Sequence, residues 1–193
     1  QIYLRCIIKQ DSSPSLFSSL TPHVATRRVR LLVLKPYNSK GWREWWRAGL
    51  AAPDGPEADA RWAARLAREG ARHAVRVGAR GIRSKADASV VTDADLAVED
   101  LVMARISRRF PGDGRLGEEH GFHEGTSGRI WMVDPIDGTS NFAAGLPLWG
   151  TSIGLVEDGR SILGAVHLHA SDATLFGWKG GGAWCGRRQL AAV

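Results

Sequence analysis

Residues 129–142, which read RIWMVDPIDGTSNF, constrain the fold of this chain more than any other segment. The short apolar run at its start predicts a strand that ends in Asp134. Pro135 fixes the backbone directly after that residue, and Gly138 permits a tight turn and the close approach of a ligand. Asp137 returns a second carboxylate shortly after the first. The segment therefore predicts a strand end that presents two acids to a cleft.

Two carboxylates at one strand end suit a hard cation. Mg²⁺ prefers octahedral oxygen ligands and is usually held by one or two carboxylates, with water and a substrate phosphate completing the set. Thr139, Ser140 and Asn141 open a predicted short helix that runs through Ala144. Free N–H groups at a helix start favour an anion such as phosphate. An Asp-Pro turn followed by a helix cap explains the same residues without any chemistry, so the residues alone leave both interpretations open.

The hydrophobic pattern predicts helices in the first part of the domain and strands in the second. Alanine-rich helical spacing predicts one helix that begins at Glu57 and ends at Gly78 to Gly81, followed by a loop at 83–89. A second helix is predicted to begin near residues 93–95 and to end close to Phe110. This order of elements favours an α+β fold built in layers. Strands are predicted at residues 129–133, 151–156, 162–169 and 174–178, with a hairpin turn at 157–160.

Composition limits the partners and the compartment. The chain has 193 residues, a net charge of +6 and two cysteines, Cys6 and Cys185. Arginine is scattered along the chain instead of forming a patch, which disfavours nucleic-acid binding. Two cysteines cannot form a disulfide framework and favour a reducing compartment, so we expect the cytoplasm. No apolar run approaches the ~20 residues needed to cross a bilayer, and we expect no membrane partner.

The first residues differ in character from the rest. Residues 1–55 show no clear hydrophobic period, and a breaker rich in Pro and Gly separates them from the remainder of the chain. We leave residues 1–55 unassigned and expect a disordered extension there, while residues 56–193 are predicted to form one α+β domain. Because the chain begins with Gln1 and not Met, we also expect a fragment, a processed product or an imperfect gene start.

The segment WMVDPIDGTSNF, residues 131–142, resembles the W-x-x-D-P-I-D-G-T-x-N-F signature of the inositol monophosphatase family. Members of that family are lithium-sensitive, Mg²⁺-dependent phosphomonoesterases. The resemblance implies that Asp134 bridges two metal ions and that Asp137 binds the second. It also implies that the backbone carbonyl of Ile136 binds the first metal ion.

The same resemblance assigns the phosphate and the attacking water. The backbone N–H groups of Gly138 and Thr139 are implied to hold the substrate phosphate. Residues 91–99, VTDADLAVE, resemble the family's V-T-x-A-D-x-x-x-E segment. This match implies that Asp95 works with Thr139 to orient and deprotonate the attacking water. From the residues alone, Asp93 or Asp95 can also be interpreted as a cap of the helix.

Two further positions complete the site that the resemblance implies. Residues 117–119, Gly-Glu-Glu, resemble a family motif whose first Glu ligates metal, so this role passes to Glu118. Glu119 is expected to be a supporting or surface acid. Lys85 lies about where the family places a lysine in a mobile loop near the metals, although the spacing is one residue short. We count Lys85 with the catalytic residues.

The resemblance implies a layered α/β sugar-phosphatase-type fold. Its N-terminal part, helices with an antiparallel sheet, is present, whereas a C-terminal α/β part with a W-D-x-A-A motif is expected after Val193 and is missing. The implied function is Mg²⁺-dependent hydrolysis of a phosphate monoester, first inositol monophosphate, by metal-activated water, in a homodimer. One alternative is a histidinol-phosphate phosphatase, although Ser140 favours the inositol branch. Another is an inactive truncated pseudoenzyme, because the missing part carries a further metal ligand.

Overall fold

The computed structural model describes residues 55–86 and 88–191, so nearly all of the unassigned segment 1–55 lies outside the described residues. The helices are α1 (Pro56–Val77), α2 (Asp93–Arg109) and α3 (Thr139–Ala143). The three predicted helices are confirmed, and α1 ends at Val77, just before the predicted end at Gly78 to Gly81. The strands are, in chain order, β1 (Arg83–Ser84), β2 (Val90–Val91), β3 (Gly114–Gly117), β4 (Gly121–His123), β5 (Arg129–Asp137), β6 (Gly150–Glu157), β7 (Arg160–Leu168), β8 (Ala173–Trp178), β9 (Gly182–Cys185) and β10 (Arg188–Gln189).

Eight of the strands form one sheet in the order β10-β9-β8-β7-β6-β5-β3-β4, and β1 and β2 form a separate hairpin. Every neighbouring pair in the large sheet is antiparallel except β3 and β5, which are parallel. The predicted hairpin between β6 and β7 is confirmed. Its two turn residues, Asp158 and Gly159, have φ angles of 49° and 73°, which matches the right-handed twist of the two strands.

The strands β3 and β4 were not predicted. The sequence there indicated only the end of α2 and a glutamate pair, because β3 is four residues long and lacks an alternating apolar pattern. Its backbone is instead held from both sides, by β5 and by β4. The predicted loop at 83–89 is likewise shorter than expected, because its first two residues form β1, which pairs with β2 directly after the loop.

The two long helices pack on one face of the large sheet. The face of α1 that packs on the sheet carries small, buried side chains. Each of them is at most 1% exposed: Ala60, Ala63, Ala67, Ala71 and Ala74. Such small side chains let the helix approach the sheet closely. The larger core side chains come from α2 and from the strands below it, including Val98, Ile106, Trp131, Ile153 and Leu155. Burying each large apolar side chain stabilises the fold by about 1.5–3 kcal/mol.

The strand β5 extends further than predicted, through Asp137. Its pairing with β6 is regular up to Asp134 and then shifts register before Asp137. At this bulge the buried hydroxyl of Thr151 donates a hydrogen bond to the Pro135 carbonyl, at 2.8 Å. The two aspartates are three positions apart, and in a regular strand they would point to opposite faces of the sheet. The bulge explains how both can serve one site.

At the other end of β5, an ion-pair network ties the strand to α1. The guanidinium of Arg129 lies 3.1 Å from Oδ2 of Asp59 and 3.3 Å from Oδ2 of Asp113. The indole of Trp131 donates to the same Asp113 oxygen at 2.8 Å. Asp59 is only 2% exposed, so these contacts anchor the start of the strand from within the core. None of the helices in the described ranges is long and apolar enough to cross a membrane.

Candidate active site

Asp134 is a buried acid in an unfavourable environment. Its side chain is 6% exposed, and its Oδ1 atom finds no hydrogen-bond partner among the described residues. Burial, followed by the negative charges of Glu118 and Asp137, raises the pKa of Asp134 from an ordinary 3.8 to about 8. Glu118 and Asp137 therefore lie near enough to Asp134 for their negative charges to repel its own.

Asp95 and Thr139 are brought together from the first turns of two different helices. The Oγ1 atom of Thr139 lies 3.1 Å from Oδ1 of Asp95 and 2.9 Å from the carbonyl oxygen of Ile136. The hydroxyl carries one proton, so it donates to one of these two acceptors at a time. The predicted pair of Asp95 and Thr139 is therefore in hydrogen-bonding contact, and Ile136 presents its carbonyl to the same point.

Asp95 also caps α2, so the two interpretations left open by its sequence both describe it. Oδ2 accepts hydrogen bonds from the backbone N–H of Thr92 at 2.8 Å and from the Thr92 hydroxyl at 2.6 Å. Capping thus occupies one carboxylate oxygen, while the other faces Thr139. Asp95 is 1% exposed, and burial raises its pKa, although hydrogen bonds from Thr92 and Thr139 oppose that shift.

Lys85 contacts both acids of the Gly-Glu-Glu motif. Its ammonium lies 2.6 Å from Oε1 of Glu119 and 3.3 Å from Oε1 of Glu118. Burial alone would lower the pKa of Lys85, but the hydrogen bond to Glu119 and the charges of both glutamates raise it. The lysine is therefore a cation at neutral pH that forms ion pairs with both acids.

Glu119 was expected to be a supporting or a surface acid, and the structure shows that it does not lie on the surface. The Glu119 side chain is 8% exposed, compared with 35% for Glu118. Burial raises the pKa of Glu119, Lys85 lowers it, and the charges of Glu118 and Asp95 raise it further. Glu119 is therefore a largely buried acid that pairs with Lys85 and lies near enough to Asp95 for the two charges to interact. The doubled glutamate was the one signal for it, and only the turn between β3 and β4 shows which of the two side chains points inward.

The acids fit a divalent cation in chemistry, although the fit is incomplete. Carboxylate and carbonyl oxygens are the ligands that Mg²⁺ takes, and the unpartnered Oδ1 of Asp134 lacks the positive charge that would stabilise it. Within the described ranges, no group of three or more His, Cys, Asp or Glu side chains is arranged closely enough to hold a metal ion. The Lys85 ammonium lies 3.3 Å from the Glu118 carboxylate, so one positive charge is already next to these acids. Glu118, Asp134, Asp137 and the carbonyl of Ile136 are the residues that would hold the metal.

Gly138 makes the turn that the sequence predicted. Its φ angle is +97°, which side chains other than glycine rarely adopt. A Cβ atom there would lie 2.9 Å from the carbonyl oxygen of Leu148, so the close packing also requires glycine. The loop that contains Leu148 is in turn held by Asn141, whose amide donates to that same carbonyl at 2.7 Å. The turn places the backbone of Gly138 and Thr139 directly after the acids of β5.

Comparison with known proteins identifies the family of the chain. The model of the inositol monophosphatase family matches residues 57–193. A histidinol-phosphatase of Mycobacterium tuberculosis is 46% identical over 112 residues, which are 57% of this chain and 43% of the relative. An inositol-1-monophosphatase of Mesorhizobium japonicum is 40% identical over 107 residues, which are 55% of this chain and 40% of the relative.

Among solved structures, the IMPase of Thermotoga maritima superposes with a TM-score of 0.64 at 30% identity, covering 68% of this chain and 52% of that one. The chain thus spans about half the length, or less, of the relatives that it matches. Because the family model covers more than half of the chain, including every candidate site residue, the protein belongs to the inositol monophosphatase family.

Proposed function

We propose that this protein hydrolyses a phosphate monoester with the help of Mg²⁺. The observation that carries the proposal is the environment of the buried Asp134. Its Oδ1 atom has no hydrogen-bond partner among the described residues, and the charges of Glu118 and Asp137 help to raise its pKa. When bound, Mg²⁺ supplies positive charge that neutralises these acids and polarises the phosphate ester. The ligands that we propose for it are the carboxylates of Glu118, Asp134 and Asp137 and the carbonyl of Ile136.

We assign the activation of water to Asp95 and Thr139. Thr92 holds Oδ2 of Asp95, which leaves Oδ1 as the acceptor for the Thr139 hydroxyl. Once Thr139 donates its proton to Asp95, its own oxygen can accept a proton from an attacking water molecule. Burial raises the pKa of Asp95 and makes it a better proton acceptor than an exposed aspartate. Gly138 and Thr139 would bind the phosphate through their N–H groups, and Lys85 would adjust the charge around it.

We infer two candidate substrates from the names of the relatives. Inositol monophosphate is the first candidate, supported by the family match and by the inositol-1-monophosphatase relative. Histidinol phosphate is the second, because histidinol-phosphatases of Mycobacterium tuberculosis and Chlorobaculum parvum are 46% and 42% identical. Both compounds present the same phosphate group to the acids, so the leaving alcohol must be distinguished elsewhere. The values of kcat/KM for the two esters, measured side by side, decide between them.

Phosphate release from each ester, measured with and without Mg²⁺, tests the reaction itself. We expect release that requires added Mg²⁺ and that is lost in Asp134→Asn. Asp158→Asn, an equal change of charge in the exposed β6–β7 turn, should leave it unchanged. Release that persists in EDTA, or that survives Asp134→Asn, would contradict the proposal. So would a chain that releases phosphate from neither ester, and that result would favour the pseudoenzyme.

We also propose that the protein acts as a homodimer in the cytoplasm. The family resemblance supports the dimer, and the absence of a disulfide framework among the two cysteines supports the compartment. Light scattering of the protein as it elutes from a size-exclusion column measures its molar mass directly. A mass of one chain at micromolar concentration would contradict the dimer.

A further inference from the structure

Glu99 is a fully buried carboxylate on α2 that the proposed reaction does not use. Its exposure is 0%, and a buried carboxylate is costly unless its oxygens accept hydrogen bonds. Oε2 accepts the backbone N–H of Glu119 at 2.8 Å, and Oε1 accepts the backbone N–H of His120 at 2.7 Å. The Nδ1 atom of His120 lies 3.0 Å from Oε1. All of these partners belong to the turn between β3 and β4, which carries Glu118.

The space around Glu99 is shaped for this contact. A Cβ atom at Gly117 would overlap the Glu99 carboxylate and would lie 2.7 Å from the end of the Met103 side chain. The backbone of the Gly-Glu-Glu motif therefore comes close to α2 only because its first residue has no side chain. The carboxylate reaches past Gly117 and holds the two N–H groups that follow the first glutamate.

The position of Glu99 on α2 connects it to Asp95. The two residues are four positions apart, so they lie on the same face of the helix, one turn from each other. Asp95 is 1% exposed and contacts Thr139, while Glu99 contacts the turn that holds the metal-binding glutamate. One helix face thus carries both the water-activating acid and the support for Glu118 and Glu119.

We propose that Glu99 is a positioning residue for the cation site. Its carboxylate fixes the backbone of residues 118–120 so that the Glu118 side chain faces Asp134, and it thereby sets the affinity for Mg²⁺. This inference rests on the proposed function, because it assigns a role toward the metal that Glu118 would bind. Residues that orient metal ligands in this way typically change metal affinity by about 10–100-fold when they are substituted.

Calorimetric titration of the 193-residue chain with Mg²⁺ tests the role, in wild type and in Glu99→Gln. The amide has the shape of the carboxylate, but one of its two acceptors becomes an NH₂ group that faces a backbone N–H donor. We expect the Kd for Mg²⁺ to rise by about 10–100-fold. The matched control is Asp59→Asn, the same chemical change at an acid that is also buried but that binds Arg129. It should lower the melting temperature and leave the Kd within about twofold of wild type, because Arg129 lies at the opposite end of β5 from the proposed metal ligands.

A second variant and a second measurement keep the test decisive if Glu99→Gln does not fold. Glu99→Asp retains the charge and withdraws the carboxylate by one methylene, so we expect a smaller rise in the Kd. Hydrogen exchange in the metal-free wild type needs no variant, and the N–H groups of Glu119 and His120 should be protected. A folded Glu99→Gln with the wild-type Kd, or fast exchange at both N–H groups, would overturn the positioning role. A wild-type chain that binds no Mg²⁺ would instead contradict the proposed function.

Discussion

The hydroxyl of Thr139 lies 3.1 Å from Oδ1 of Asp95, a residue 44 positions earlier in the chain. Each residue belongs to the first turn of its helix, Asp95 in α2 and Thr139 in α3. The contact forms because β5 carries its chain past the start of α2 and the turn at Gly138 brings Thr139 back toward it. A capping acid on one helix thus becomes the proton acceptor for a hydroxyl on another.

Thr139→Val tests that contact. The variant keeps the shape of the side chain and removes the hydroxyl, so Asp95 loses its link to the attacking water. We expect kcat for the better of the two esters to fall by about 10²–10⁴-fold. The Kd for Mg²⁺ should change little, because no proposed metal ligand is removed. Thr139→Ser retains the hydroxyl and should retain most of the activity. Equal losses in the two variants would contradict the proton relay.

The raised pKa of Asp134 predicts a pH dependence of stability without metal. The folded-state pKa of about 8 lies above the ordinary 3.8, so the folded chain binds this proton more tightly than the unfolded chain. The contribution of the protonated acid to stability is therefore complete below about pH 4, and it is lost as the pH rises toward 8. In EDTA, the melting temperature of wild type should fall between about pH 5 and pH 9 relative to that of Asp134→Asn.

At about pH 9 the free energy of unfolding of metal-free Asp134→Asn should exceed that of wild type by about 1–3 kcal/mol, because the amide carries no buried charge. Saturating Mg²⁺ should reverse the order, since the wild type alone keeps all of its ligands. Thermal melts followed by circular dichroism measure both effects. Parallel pH curves for wild type and variant would show that Asp134 does not carry the unfavourable charge.

Lys85→Met tests whether the lysine competes with the metal. Its ammonium contacts Glu118 at 3.3 Å, so a cation that binds Glu118 must overcome both the contact and the repulsion. Removing one positive charge a few ångströms away should tighten Mg²⁺ binding by about three- to tenfold, at roughly 1 kcal/mol for such a charge pair in water. The control is Lys179→Met, an equal change in the turn after β8, which should leave the Kd unchanged. A higher Kd in Lys85→Met, which means weaker Mg²⁺ binding, would show that the lysine organises the acids more than it competes with the metal ion.

Gly138→Ala tests the turn before α3. The φ angle of +97° strains any other residue, and the new Cβ atom would also press on the Leu148 carbonyl. Gly145→Ala is the matched control, because Gly145 has a φ angle of +73° but a Cβ atom added there would meet no atom within 4 Å among the described residues. We expect a loss of about 1–2 kcal/mol in the control and a clearly larger loss in Gly138→Ala. Equal losses in urea unfolding would show that Leu148 gives way.

Local signals explain why the helices could be predicted and parts of the sheet could not. The end of α1 is marked by Gly78 and the start of α2 by Thr92 with Asp95, and these caps act within one turn. By contrast, β3 has no pattern of its own and exists because β5 and β4 pair with it. The extension of β5 through Asp137 depends in the same way on Thr151, which lies in the neighbouring strand.

By itself, the sequence determined the family, the identity of the candidate acids and the positions of the main helices, because each depends on residues that are close in the chain. Only the tertiary structure decided what those residues do together. It showed that Asp95 caps a helix with one oxygen and contacts Thr139 with the other, and that Glu119 points inward. It also showed that Glu99 accepts hydrogen bonds from the turn between β3 and β4. Apart from the local cap, these relationships are contacts between distant segments, and they form only when the helix pair packs on the sheet and brings those segments within hydrogen-bond distance.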